Sequence, residues 1–248
     1  RSVLGLVKNL NSKQTLSNLS VSQPHKQIYC RANIVSTAGN LYRKCALASF
    51  AARPANFAMD VIEPAGIKKA ADGSMIVAAG EGGQAANPKS IFTLRVKAVG
   101  LNNSVNALTS FATSPLSLNL SSGQGLAKLF PLNKLGTNNQ AAALDVKGLL
   151  SPATFTFING EASAQLTYSE VGYLNIDQGA LVDTAFAKLD ADTGKCVAGD
   201  TSNTPNAQGK IGCVIGSTLA RLPIKFVPYQ WKVESPVTKT VADPSTSC

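Results

Sequence analysis

The chain has 248 residues, of which 44% are hydrophobic and 15% charged, with a formal net charge of +9. That composition supplies a core and excludes wholesale disorder, and it leaves Ser, Thr, Asn, Gln and Gly to cover the surface. Lys and Arg are spread along the chain in runs no longer than Arg43-Lys44 and Lys68-Lys69, so the concentrated basic stripe of a nucleic-acid binder is not expected; a diffuse positive field remains compatible with acidic polysaccharide or lipid headgroups.

From the N-terminus, the first ten residues lack a signal-peptide core, and no apolar run reaches the length of a membrane span. The five cysteines are Cys30, Cys45, Cys196, Cys213 and Cys248. None forms a CxxC pair, and the single histidine, His25, does not complete a Cys/His zinc set. Two local disulfides, Cys30–Cys45 and Cys196–Cys213, are the natural reading, each adding about 3 kcal/mol through loop closure. Free buried thiols in a reducing compartment are the alternative. Cys248 is left over, and a partner for it in a following segment of a longer chain is the simplest expectation.

Strand signals dominate the rest. Ile91–Val99 alternates Phe92, Leu94, Val96 and Ala98 with Thr93, Arg95 and Lys97, the period of a half-buried strand. Helix signals are thin, and the best candidate is Asn138–Leu150, interrupted by Gly148 and stopped by Pro152. Phe155–Ile158 and Ala162–Tyr168 flank Asn159-Gly160, a strong hairpin signal. Strands are also expected over Ser169–Ile176, Ile224–Pro228 and Tyr229–Val233. The fold class expected is all-β, an Ig-like antiparallel β-sandwich with long disulfide-stapled loops.

A short echo, Pro-x-x-aromatic-x-apolar, links Pro54-x-x-Phe57-x-Met59 to Pro228-x-x-Trp231-x-Val233. Read as two domain entrances, it divides the chain into 1–45 (the end of a preceding domain or linker), 46–226 (the sandwich) and 227–248 (the start of a following domain).

Chemistry-bearing constellations are sparse. His25 beside Pro24 supports no Ser-His-Asp or Cys-His scheme, and Gly80-Glu-Gly-Gly83 lacks the helix and lysine of a phosphate loop. Glu161, Glu170, Asp177 and Asp183 leave paired carboxylates for glycoside hydrolysis open without selecting two. Asp190, Asp192 and Asp200 near Gly194 weakly suggest calcium, although Thr201 stands where the bidentate Glu of an EF-hand loop belongs and Lys195 lies inside. The competing expectation is a polar turn ahead of Cys196, with no cofactor.

Gly160-Glu-Ala-Ser-Ala-Gln-Leu-Thr-Tyr-Ser-Glu-Val-Gly172 resembles the G-x-A-x-x-x-L-x-Y-S-E-V-G motif of MshQ-type proteins, with Gly160, Leu166, Tyr168, Glu170 and Gly172 on matching positions. Cys45–Phe57 is similar to their C-x-x-x-F-A-I-R-P-x-x-F stretch, and Phe92–Val99 to their F-x-L-x-V-x-A strand. Ile224–Trp231 resembles V-G-R-F-x-P-x-H-F, with Lys225, Gln230 and Trp231 in place of Arg, His and Phe. The likeness spans residues 45 to 231 in order. It implies a surface protein associated with mannose-sensitive haemagglutinin type IV pili, an Ig-like adhesive module, and it transfers no catalytic residues. The expected function is therefore extracellular and non-enzymatic. Loops such as Lys195–Gly212 and Gly66–Lys89 would be presented to other pilus or surface proteins or to host or environmental glycans. The alternatives are a scaffolding subunit of a surface filament or layer and, behind it, a carbohydrate-processing enzyme.

Overall fold

In the segment read as a strand by its alternation, Phe92, Leu94, Val96 and Ala98 are buried and Thr93, Arg95 and Lys97 half-buried. It is β5 in a computed structural model that describes residues 21–36, 38–80, 90–102, 106–118, 128–130 and 150–228. The strands before it are β1 (His25–Val35), β2 (Leu41–Ala52), β3 (Asn56–Ile62) and β4 (Met75–Ala78). After β5 (Phe92–Val99) come β6 (Leu116–Ser117), β7 (Lys128–Phe130), β8 (Thr154–Phe155), β9 (Glu161–Leu166), β10 (Gly172–Ile176) and β11 (Val182–Asp183). A short helix, α1 (Lys188–Asp192), precedes β12 (Ile215–Gly216) and β13 (Ala220–Val227).

Two sheets make the body. One has three strands in the order β3-β5-β9, and the other four in the order β4-β13-β10-β7. Both commit a face to one core that includes Phe57, Leu94, Val96, Leu166, Leu174, Ile176, Leu222 and Ile224. Phe92 of β5 meets Phe226 of β13 edge-on at 5.5 Å between ring centroids, so the inner faces touch through aromatic rings. A second aromatic group, Phe57, Phe111, Phe157 and Phe186, fills one part of the core with centroid separations of 5.0–5.7 Å.

The expectation of purely antiparallel pairing needs correction. β13 runs parallel to β4, with Ile224 opposite Met75 and Val227 opposite Ala78. Parallel neighbours require a long connection, and the chain between these two strands supplies one. Pro223 lies inside β13 even though that strand has neighbours on both sides. Between the Asn175–Arg221 and Tyr173–Lys225 pairs the ladder is irregular, and the proline sits in that bulge, where no ladder donor is required.

β1 and β2 form a separate two-stranded ribbon that the sequence pattern did not announce. The expected divisions at 45/46 and 226/227 fall inside β2 and β13. The helix candidate Asn138–Leu150 lies outside the described residues up to its last member, and Leu150 makes an isolated bridge to Tyr168. Tyr229–Val233, Cys248 and most of the 227–248 segment also lie outside them. No helix among the described residues is long and apolar enough to cross a membrane.

Candidate functional site

The segment from Cys196 to Cys213 is composed mainly of small and polar residues and has little apolar surface with which to hold a shape. Three devices supply the shape instead. The first is the expected disulfide Cys196–Cys213, with the two Cα atoms 5.2 Å apart. The second is a set of backbone bonds at the neck of the loop: Val197 N–H donates to Ile211 (2.9 Å), Cys213 N–H to Val197 (2.9 Å) and Val214 N–H to Asp200 (2.9 Å).

The third is Arg53. Its Nε donates to the Gly212 carbonyl at 2.8 Å and one terminal nitrogen to the Ser202 carbonyl at 3.0 Å. The other terminal nitrogen donates to the carbonyls of Pro54 (2.8 Å) and Ala55 (3.1 Å). A planar guanidinium with five fixed N–H donors matches several carbonyls at once, which a lysine ammonium does not. Burial pulls the Arg53 pKa down and Asp200 opposes that pull, so the charge is held by acceptors rather than by a full ion pair. Asn203 reinforces the clamp by donating from Nδ2 to the Ala55 carbonyl at 3.1 Å.

Above this neck, Thr204–Lys210 is exposed. Its turn is internally bonded, with the Asn206 side-chain oxygen accepting from the N–H groups of Gln208 (3.0 Å) and Lys210 (2.9 Å). Gly209, at φ 73°, closes the turn. The result is a short, exposed tip of amide, hydroxyl and proline groups with one cation, Lys210, on a covalently closed base.

The aspartates considered for calcium are separately engaged. Asp190 is buried in α1, where Oδ2 accepts from Ala51 N–H of β2 and Lys195 Nζ lies 3.8 Å from Oδ1. Asp192 is exposed and pairs with Lys188 at 3.0 Å. Asp200 Oδ1 accepts from Ser202 N–H at 2.9 Å, a local turn bond. Among the described residues no group of three or more His, Cys, Asp or Glu side chains is placed to hold a metal ion.

The expected Cys30–Cys45 bridge is a correction. Both thiols are free and exposed. Tyr29 pairs with Ser49 and Arg31 with Cys45, so β2 carries extra residues between those two pairs. Cys45 therefore stands across from Arg31, and strand alternation directs Cys30 to the other face of the ribbon.

The motif residues have structural employment. Asn159 (φ 52°) and Gly160 (φ 76°) form the expected turn, with Ile158 and Glu161 exchanging bonds of 2.8 and 3.1 Å. A Cβ on Gly160 would stand 2.3 Å from the Leu108 carbonyl oxygen. Leu166 and Tyr168 are buried, and the Tyr168 ring meets Phe226 at 5.0 Å. Glu170 is half-buried, and Gly172, at φ 123°, opens β10 opposite Phe226. Of the other carboxylates considered for hydrolysis, Glu161 faces Lys97 across β9 and β5, and Asp177 is half-buried. Asp183 is buried and accepts from the N–H groups of Ala185 (2.7 Å) and Phe186 (3.0 Å).

Two arrangements were missed by sequence reasoning. Arg53 sits within the Phe-Ala-Ala-Arg-Pro stretch, but its long-range partners are backbone carbonyls, which leave no residue signature. Asp72 accepts from the hydroxyls of both Ser74 and Tyr173 and from Ser74 N–H at 3.0 Å. The Ser74 hydroxyl first and the Tyr173 hydroxyl second hold its carboxyl down at about 2. The Asp72-Gly73-Ser74 turn carries the short-range half of that signal.

No family model matches the chain, and no match is found among curated proteins or among solved structures.

Proposed function

We propose that the chain is an extracellular, non-enzymatic adhesive module, an Ig-like β-sandwich that presents the Cys196–Cys213 loop to a ligand at a bacterial surface or pilus. The observation that carries this reading is the construction of the loop. A disulfide, a ladder at the neck and the Arg53 clamp hold an exposed tip, Thr204–Lys210. Rigid support under an exposed polar loop is the arrangement of binding loops on β scaffolds. The disulfide fits an oxidising compartment. Two sheets closing on one core support the sandwich, with the parallel β4–β13 pair as a departure from a purely antiparallel form.

The tip's amide and hydroxyl groups suit a neutral or weakly acidic glycan, or a polar protein surface, better than an apolar ligand. The residue likeness to MshQ-type proteins supports the pilus association. A glycan-array screen of the chain, repeated with the exposed tip side chains removed in Thr204→Ala/Gln208→Ala, tests the reading. Binding that is lost in the variant while the thermal midpoint stays put supports it; binding that the variant retains refutes presentation by this loop.

A further inference from the structure

The β1–β2 ribbon carries a second surface. No Asp or Glu precedes Asp60 in the chain, whereas the ribbon itself contains Lys26, Arg31, Arg43 and Lys44. All four cations are exposed, so folding gathers on one ribbon a charge that looks scattered in the sequence. Leu41 and Tyr42 are also exposed, at 51% and 53%, and are paired in register with Val35 and Ile34 at the turn end. Exposed large apolar side chains beside a basic belt call for a partner.

The order along the ribbon is directional. Residues 36–40 hold no charge, and at this end of the ribbon Ser36 N–H donates to the Asn40 carbonyl (2.9 Å) and Gly39 N–H to the Ser36 carbonyl (2.9 Å). The Ser36 hydroxyl accepts from Asn40 N–H at 3.1 Å. Behind the turn come Leu41 and Tyr42, and behind them Arg43, Lys44 and, across from Cys45, Arg31. At about 3.3 Å per residue the apolar step is roughly 7 Å deep, comparable to the depth reached by interfacial elements in the headgroup region. Contacts that tie the ribbon to the body lie at the opposite end among the described residues. Ala51 N–H donates to Asp190, Lys195 Nζ to the Ser49 carbonyl, and Lys26 Nζ lies 5.8 Å above the Phe186 ring.

We infer that the end of the β1–β2 ribbon is a membrane-surface binding element, whose occupant is a bilayer rich in anionic phospholipid. The Leu41/Tyr42 step enters the headgroup region, and Arg31, Arg43 and Lys44 lie against the phosphates. A second copy of the ribbon would set cation against cation with no carboxylate to offset them. An acidic polysaccharide would engage the belt but leave Leu41 and Tyr42 without a role. The inference is independent of whatever ligand the Cys196–Cys213 loop takes.

The test is sedimentation of the full chain with vesicles of phosphatidylcholine mixed with phosphatidylglycerol, against vesicles of phosphatidylcholine alone. Binding is expected to the mixed vesicles only and to vanish at high salt. Arg31→Gln/Arg43→Gln/Lys44→Gln is expected to weaken it about a hundredfold, from the usual contribution of each basic residue near an anionic surface. Leu41→Ser/Tyr42→Ser is expected to weaken it about tenfold, with the thermal midpoint unchanged because neither side chain is in the core. Absence of binding to the mixed vesicles, equal binding to neutral vesicles, or indifference to the Leu41/Tyr42 change would each overturn the inference. So would retention on heparin, undiminished by Leu41→Ser/Tyr42→Ser, without vesicle binding; that result would make the occupant a polyanion.

Discussion

Arg53 Nε donates to the Gly212 carbonyl at 2.8 Å across 159 residues of sequence. One side chain at the junction of β2 and β3 thereby fixes the base of a loop near the other end of the chain. Arg53→Ala is expected to destabilise the fold by about 2–3 kcal/mol, since charged hydrogen bonds are lost and their carbonyl acceptors are left unmet. Arg53→Lys should recover only a small part, because an ammonium does not reproduce the fork. Urea unfolding measures both, and limited proteolysis should show faster cleavage within residues 198–210.

The disulfide acts on the same loop by a different route. Cys196→Ser/Cys213→Ser removes a closure of sequence separation 17 and is expected to cost about 3 kcal/mol. For a chain of this size that lowers the midpoint by roughly 6–12 °C in a calorimetric scan. Reducing agent should give the same shift in the parent protein and none in the double variant.

Glycines at similar φ are predicted to differ sharply. Gly160 (φ 76°) has the Leu108 carbonyl oxygen 2.3 Å from where a Cβ would be, whereas Gly209 (φ 73°) has nothing within 4 Å. Gly209→Ala should therefore cost only the left-handed backbone term, about 1–2 kcal/mol. Gly160→Ala should cost at least about 2 kcal/mol more, because Leu108 is backbone and the turn must shift. Parallel denaturation curves of the two variants check the difference.

The acid limb of stability should contain Asp72. Its carboxyl is held at about 2 by the Ser74 and Tyr173 hydroxyls, below the ordinary 3.8. A depressed folded-state pKa contributes stability that is complete above the unfolded value and is lost as pH falls from about 4 through about 2. Asp72→Asn is expected to be less stable at neutral pH and to lose less between those two values. A pH series of thermal midpoints reads the slope directly.

Much of the body was legible because apolar residues obey strict alternation where one face is buried. Phe92–Ala98 is the clearest case, and Asn159-Gly160 announced its turn because few other pairs accept two positive φ values. The Cys196–Cys213 bond followed from short spacing around a segment unable to pack itself. Other features were not legible for physical reasons. The described side chains of β1 and β2 are mostly exposed, so no alternation marks them, and the extra residues of β2 set Cys30 and Cys45 out of register. The helix α1 is too short for a helical period, and Arg53 binds carbonyls that any residue could supply. The grouping of basic residues on the ribbon is a product of pairing. In the sequence, Arg31 and Arg43–Lys44 are a dozen residues apart, and only the register brings them together.

Presentation by the Cys196–Cys213 loop is tested most directly by glycan-array binding of the parent chain and of Thr204→Ala/Gln208→Ala, with thermal midpoints recorded for both. Selective binding by the parent, loss of that binding in the variant, and equal midpoints to within the effect of an exposed substitution, about 0.5 kcal/mol, are expected. Binding that survives the substitution, or turnover of a bound glycan in place of simple retention, would contradict it.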